Sequence, residues 1–358
     1  MTNIDLESGI DDILINQENF IEYGIQRGFG DIHIKMCPET GLQAIVAIHS
    51  TKLGPALGGC RFIEYPNPFA ALYDAMRLAR GMSHKAAVVG LPLGGGKGVI
   101  IKPKGNFDRK KYFEAFGEFV NSLGGRYITA VDSGTTLDDM DNIHTKTNYI
   151  ASLSKENAEP SSYTSTGVLK GLQAAVFNKL GKSSVKDLHI AIQGIGKVGY
   201  GLAEALHKLG AKLTVSDINQ EACNRAEREL GASVVENKHI HKIDCDVFSP
   251  CALGGIINDS TINELNTKII AGAANNQLAR AYHGHLLHEK GILYAPDYVI
   301  NAGGLIFASS YYFKNESSIV AQQIENIYTS MLTIFERANS ENTPCSVIAD
   351  TIAEERLS

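Results

Sequence analysis

No stretch of this 358-residue chain approaches the roughly 18 consecutive apolar residues of a membrane helix, so the sequence predicts no membrane partner. Basic residues are not in excess either. The 33 Lys and Arg stand against 39 Asp and Glu, a net charge of −6, which supplies no electrostatic footprint for nucleic acid. The opening segment, MTNIDLESGIDDILINQENF, carries acids early and lacks a basic start followed by an apolar run, so it does not read as a secretory signal. Cysteine is sparse: Cys37, Cys60, Cys223, Cys245, Cys251 and Cys345 are scattered without a C-x-x-C pair, the usage expected of reduced thiols in a cytoplasmic enzyme. The histidines at 239, 241, 283, 285 and 288 do not follow zinc-ligand spacing, and AYHGHLLHEKG reads instead as a polar surface helix ending at Gly291. With 44% hydrophobic and 20% charged residues, the chain has the composition of an ordinary globular protein with a small-molecule ligand.

Its length exceeds what one hydrophobic core usually serves, which predicts two domains with the active site in a cleft. Residues 1–150 alternate strand-like and helix-like segments. The run QAIVAIHS at 43–50 is β-rich, and Leu72, Ala75, Met76 and Ala79 recur at helical spacing. Short apolar runs at 86–89 and 99–101 predict buried strands flanking a glycine-rich loop, 94–98. From Leu188 the order becomes strand, glycine turn, helix, strand, the signature of a parallel, doubly wound Rossmann sheet over 151–330. The serine-rich stretch at 152–166 is the expected hinge. Val320, Ile324, Ile327, Met331 and Ile334 predict a long amphipathic helix that packs across both domains, with 331–358 returning to the first.

The sharpest local signal is Gly194-Ile195-Gly196-Lys197-Val198-Gly199, placed between a predicted strand and a helix that continues with Tyr200. Gly194 permits the tight turn, Gly196 lets the backbone approach a pyrophosphate, and Gly199 allows close packing of the helix. Asp217 follows Gly199 by 18 residues (217 − 199), where an acid accepts from the adenine-ribose hydroxyls and repels a 2′-phosphate. NAD is therefore the expected cofactor. Asp217 also reads as the N-cap of the next helix.

Gly94-Gly95-Gly96-Lys97-Gly98 is not a nucleotide-phosphate loop, because Leu91 replaces its first glycine and Gly98 its terminal hydroxyl residue. Lys97 is then a lysine in apolar surroundings, where desolvation suits an ammonium to proton transfer near neutral pH. Lys85, in SHKAAVV, is a second such lysine, and the turn Asp132-Ser133-Gly134-Thr135 supplies a carboxylate.

The segments GPALGGCRF (54–62), RLARGMSHKAA (77–87), GLPLGGGKGVII (90–101), RYITAVDSGTTLDDMD (126–141) and GIGKVGYGLAEALH (194–207), followed by FSPCALGGIIND, IIAGAANNQLA and LYAPDYVINAGGL, occur here in order. Together they resemble the leucine dehydrogenase branch of the glutamate, leucine, phenylalanine and valine dehydrogenases, from about residue 20 onward. The resemblance implies that Lys85 pairs with the substrate α-carboxylate, helped by backbone groups of Gly58 and Gly59. It implies that Lys97 moves a proton through a water, that Asp132 faces the amine, and that Thr164 and Asn276 lie near the nicotinamide. A homo-oligomer, an octamer in particular, is also implied.

In the glutamate branch a lysine and a serine bind the distal carboxylate. The matching positions here are Leu57 and Ala308, which cannot neutralise a buried charge. The resemblance thus implies an apolar side-chain pocket of Leu57, Ala130, Leu305 and Ala308. Ala130 resembles the branched-chain enzymes and Leu305 the aromatic ones. Ala308 is smaller than the valine common in leucine dehydrogenases, Val131 stands where those enzymes often carry an acid, and Phe307-Ala308-Ser309-Ser310 replaces a more polar, acidic stretch. The expected activity is oxidation of branched-chain amino acids. An aromatic amino acid dehydrogenase and a catalytically silent NAD-binding regulator are the alternatives.

Overall fold

A computed structural model describes residues 19–155 and 160–358. They fall into two compact units, one of 19–155 with 307–316 and 353–358, the other of 160–306 with 317–352. The opening segment and residues 156–159 of the expected hinge lie outside the described residues.

The first unit contains α1 (Phe20–Gln26), β1 (Asp31–Cys37), β2 (Leu42–Ser50), β3 (Ala56–Ile63), α2 (Pro68–Val88), β4 (Gly94–Ile101), α3 (Arg109–Ser122), β5 (Tyr127–Val131) and α4 (Leu137–His144). Its five strands form one mixed sheet in the order β1-β2-β4-β3-β5, with β3 parallel to both β4 and β5. One core cluster joins β2 and β3 to α3 through Ile48, Phe62, Phe113, Phe116 and Tyr127, and another joins β2 to α2 through Ala47, Ala75, Met76 and Ala79. Helix α2 starts where Asn67 accepts from Ala70 N at 2.8 Å and Pro68 occupies the first helical position.

Two expectations fail here. Residues 86–88 are not a strand but the last turn of α2, with Val89 as the C-cap and Gly90, at φ 71°, as the first residue suited to stopping the helix. A short apolar run reads alike in a buried strand and in a helix end covered on all sides. The glycine-rich stretch 94–98 is not a loop but most of the buried strand β4. A Cβ at Gly95 would lie 2.0 Å from Ser83 N and 2.6 Å from Ala79 O. The glycines thus serve close approach of α2 to the sheet rather than a turn.

The second unit contains α5 (Pro160–Leu180), β6 (His189–Gln193), α6 (Lys197–Lys208), β7 (Lys212–Ser216), α7 (Gln220–Leu230), β8 (Ser233–Val234), β9 (Cys245–Pro250), β10 (Thr267–Ile270), α8 (Tyr282–Glu289), β11 (Leu293–Tyr294) and α9 (Asp297–Ile300). Helix α10 (Gly303–Phe313) is shared between the units, and α11 (Ser317–Glu341) and α12 (Cys345–Leu357) complete the chain. The sheet order β8-β7-β6-β9-β10-β11 is parallel throughout, which is the doubly wound dinucleotide-binding topology. The direction of winding reverses between β6 and β9.

Residues 160–166 of the expected hinge are the first turns of α5, because Pro160 is well placed at a helix start. The face of α11 formed by Val320, Ile324, Ile327, Met331 and Ile334 is buried as the spacing predicts, and the helix packs on α5 of this unit. Residues 331–352 group with the parallel sheet and only 353–358 with the first unit, whereas the sequence reading assigned all of 331–358 to the first. Helix α8 is less exposed than its polar sequence suggests: His283 is buried, with Nδ1 accepting from Arg280 N and Nε2 paired with Asp259. Among the described residues no helix is long and apolar enough to cross a membrane.

His49, at the end of β2, is 6% exposed, and its Nε2 lies 2.9 Å from Arg27 O. Burial is the main reason that its pKa falls to about 4, with His84 and Arg80 adding to the effect and the Arg27 carbonyl opposing it. The unfolded chain takes up this proton below about pH 6.5, the folded chain only below about pH 4. Stability is therefore lost as pH falls through that window, by about 3 kcal/mol for this group. His49→Gln is expected to remove that part of the pH dependence, measured as the urea midpoint by circular dichroism between pH 7 and pH 4.

Candidate functional site

Lys97 and Asp132, far apart in sequence, meet in the first unit. Lys97 sits on β4 and is 6% exposed, and its Nζ lies 2.7 Å from Asp132 Oδ2. The neighbouring strand β3 makes room for the pair. A Cβ at Gly58 would lie 1.7 Å from Gly96 O, and one at Gly59 would lie 2.7 Å from Asp132 Cβ. Both positions on β3 therefore admit only glycine. The fully buried Tyr127 closes the site from below, donating to Gly58 O at 2.6 Å, with its ring against Gly96.

Asp132 follows β5 on a turn that the sequence defines locally. Thr135 Oγ1 accepts from Asp132 N at 2.8 Å, Thr135 N donates to Asp132 O, and Phe62 N donates to Ser133 O. Gly134 has φ 82°, and a Cβ there would lie 1.8 Å from Phe62 O. Arg109 holds the turn from outside: its Nε and Nη2 bind both oxygens of Asp139 at 2.7 Å, and Nη2 also donates to Gly134 O. Burial pushes the Asp132 carboxyl up, but the Lys97 ammonium, the Arg61 guanidinium and the Ser133 N–H together hold it below the ordinary carboxylate value. The site thus presents a carboxylate anion beside an ammonium.

Lys85 lies in the last turn of α2, the helix that the glycines of β4 admit. Leu57 and Ala130, on β3 and β5, are 2% and 7% exposed. Leu305 and Ala308 lie one turn apart on α10, Leu305 being buried and Ala308 half-buried. Arg61, Asp74, Tyr65 and Arg109 escaped the sequence reading. Arg61 has a visible signal, as the one charged residue in ALGGCRFI, and Asp74 interrupts the apolar run FAALYDAM.

In the second unit, the loop after β6 stands at the reversal between β6 and β9. Gly194 has φ 88°, and a Cβ there would meet Ala252 of the loop after β9 at 2.7 Å. A Cβ at Gly199 would lie 2.0 Å from Gly194 O, so the turn closes only with glycine at both places. Gly196 is the N-cap of α6, is exposed and has nothing within 4 Å of a would-be Cβ, leaving space over the first helical N–H groups. Lys197 and Val198 begin that helix.

Asp217 directly follows β7 and ties to this loop: Oδ2 accepts from Ile195 N at 2.7 Å and Oδ1 from Asn219 N at 2.8 Å. A carboxylate has room for about four such bonds, so acceptor capacity is left. Asp217 is not the helix cap; Asn219 caps α7, because its shorter reach to Glu221 N and Ala222 N fits that first turn. Ile195, Gly196, Lys197, Tyr200, Asp217 and Asn219 line one cavity of about 550 Å³. Thr164, in the first turns of α5, donates to Pro160 O, and Asn276 is exposed in the left-handed region at φ 53°. Neither is among the residues lining that cavity.

Residues 30–149 match the family model described as the Glu/Leu/Phe/Val dehydrogenase dimerisation domain, and residues 218–349 match that of the Glutamate/Leucine/Phenylalanine/Valine dehydrogenases. The leucine dehydrogenase of Geobacillus stearothermophilus is 48% identical over 322 residues, covering 89% of this chain and 88% of that protein. The phenylalanine dehydrogenase of Bacillus thermotolerans is 45% identical over 329 residues, covering 89% and 86%. Among solved structures, the L-tryptophan dehydrogenase of Nostoc punctiforme superposes with a TM-score of 0.86 at 41% identity, covering 94% of this chain and 98% of that one.

Proposed function

The chain belongs to the glutamate, leucine, phenylalanine and valine dehydrogenase family, and on that premise we propose that it oxidises L-leucine and other branched-chain L-amino acids with NAD. The products are the 2-oxo acid, ammonia and NADH, and the reaction is reversible. The observation that carries the reading is the Lys97–Asp132 pair at 2.7 Å, with Lys97 buried and Asp132 half-buried, a proton-transfer group beside an anion. The open cradle over Gly196, with Asp217 beside it, fits a dinucleotide. A dinucleotide held by Gly196 and its neighbours would supply the acceptor for the hydride that leaves the substrate Cα.

This chain's residues do the rest. Lys85 and the backbone at Gly58 and Gly59 hold the α-carboxylate. The incoming ammonium competes with Lys97 for the single Asp132 carboxylate, and two cations facing one anion favour release of a proton from the pair. Hydride loss leaves an iminium ion, which the ionised Asp132 stabilises. Lys97 takes a proton from a water as it adds to that carbon, returns it to the amine, and takes the carbinol O–H proton as the C–N bond breaks, the C=O bond forms and ammonia departs. None of Leu57, Ala130, Leu305 and Ala308 can pair with a second carboxylate, so glutamate is rejected. Assembly as a homo-oligomer, an octamer in particular, is part of the same reading and is supported by the match to a dimerisation domain.

The smaller Ala308 and the structural likeness to a tryptophan dehydrogenase favour an aromatic preference as the second reading. Comparing kcat/KM for leucine, valine, isoleucine, phenylalanine and tryptophan separates the two. Leucine is expected to lead. A tenfold advantage for an aromatic substrate would transfer the proposal to the aromatic branch, and no NADH from any of them would indicate a silent regulator.

Lys97→Ala is expected to lower kcat by at least about 10²-fold at unchanged NAD affinity, the scale of lost general acid–base catalysis. Lys85→Ala raises KM instead, because a carboxylate anchor acts in ground and transition states alike. Steady-state kinetics across the pH range check both; near-normal kcat in folded Lys97→Ala ends the assigned mechanism.

Asp217→Ala is expected to weaken the preference for NAD over NADP, since it removes a hydroxyl acceptor and a charge opposed to a 2′-phosphate. Dissociation constants for the two dinucleotides measure it. An unchanged ratio would place the choice elsewhere.

A further inference from the structure

We propose that Arg61, anchored by Asp74, is a positioning residue that keeps the Asp132 carboxylate fixed and ionised while Lys97 changes charge. The inference rests on reading Lys97 and Asp132 as the reacting pair. Two cations converge on one atom: Lys97 Nζ at 2.7 Å and Arg61 Nε at 3.4 Å both face Asp132 Oδ2.

A lysine that carries protons cannot be the constant partner of a carboxylate. At the moment Lys97 is neutral, Asp132, only 23% exposed, loses its nearest counter-charge, and an unpaired buried carboxylate is costly. Arginine does not deprotonate in proteins. Arg61 therefore supplies the charge that persists through the proton transfer, and its presence is part of what holds the Asp132 carboxyl low.

Arg61 itself needs restraint. A guanidinium free to turn would clamp both oxygens of Asp132 in a bidentate pair and withdraw the carboxylate from the substrate. Asp74 prevents this by taking Arg61 Nη1 at 2.8 Å, leaving Nε turned towards Asp132. Asp74 is in turn fixed by the Tyr65 hydroxyl at 2.7 Å and by Arg77 at 3.2 Å. Burial, reinforced by the Asp74 carboxylate, raises the Tyr65 pKa, so this hydroxyl stays a donor. Tyr65, Arg61, Asp74 and Arg77 thus form a closed network with one face on the reacting pair.

Leucine oxidation by Arg61→Gln, Arg61→Lys and Asp74→Asn, each alone and combined with Asp132→Asn, tests the assignment. Arg61→Gln is expected to lower kcat at least about tenfold, with KM for leucine and the NAD dissociation constant within about threefold, and Arg61→Lys to recover part of the loss. In the Asp132→Asn background the same substitution is expected to cost less than about twofold of the residual turnover, because its target is gone. Asp74→Asn follows the same pattern at smaller size and decides the matter if Arg61→Gln does not fold. Equal losses in both backgrounds, or wild-type kcat in a folded Arg61→Gln, overturn the inference and leave the reacting pair standing. Full kcat in Asp132→Asn alone overturns the reading of the pair and the inference with it.

Discussion

The first unit is built around the ion pair between Lys97, on the buried strand β4, and Asp132, on the turn after β5. Taking two charges out of water costs several kcal/mol per ion, and removing one partner of such a pair costs about 3–5 kcal/mol. The surrounding chain is arranged accordingly. Gly58 and Gly59 leave space where any Cβ would collide with β4 or with Asp132 itself. Gly95 lets α2 lie against β4, bringing the helix whose last turn carries Lys85 onto the same strand that carries Lys97. Glycines weaken an isolated strand; here that weakness is offset by burial on both faces of the sheet, with Tyr127 tying β5 to β3.

The second unit solves a different problem with different means. A dinucleotide pyrophosphate is recognised by backbone N–H groups and by space, and the loop from Gly194 to Gly199 provides both within six consecutive residues. Its geometry is enforced by short-range contacts: Gly199 against Gly194 O, and Ile195 N on the Asp217 carboxylate. That hydrogen bond makes Asp217 a structural part of the loop as well as a candidate ribose acceptor, a double role that spacing could not reveal.

How much of this was legible in the sequence follows from the range of the interactions. The βαβ unit from His189 to Ser216 and the buried face of α11 are read correctly because their periodicity and caps lie within a few turns. The glycine loop and the lysine, glycine and aspartate positions stand out because few residue types could replace them. Residues 94–98 of β4 are misread as a loop, and the last turn of α2 as a strand, because glycine content and short apolar runs do not say whether a segment is crowded or free. The Arg61–Asp74 network is missed since its members make sense only beside Asp132.

By itself the sequence determined the family and the parallel dinucleotide-binding sheet and singled out the candidate reacting side chains, all of which rest on local pattern or on ordered motifs. Tertiary structure alone decided that Gly94 to Gly98 belong to a buried strand, that Asn219 rather than Asp217 caps α7, and that residues 331–352 group with the parallel sheet. It alone brought Arg61 and Asp74 to the reacting pair. The reason is the same throughout: a residue's neighbours across a sheet or a helix face are set by packing between distant segments, and a linear pattern carries no record of which backbone atom will lie 2 Å from a missing Cβ.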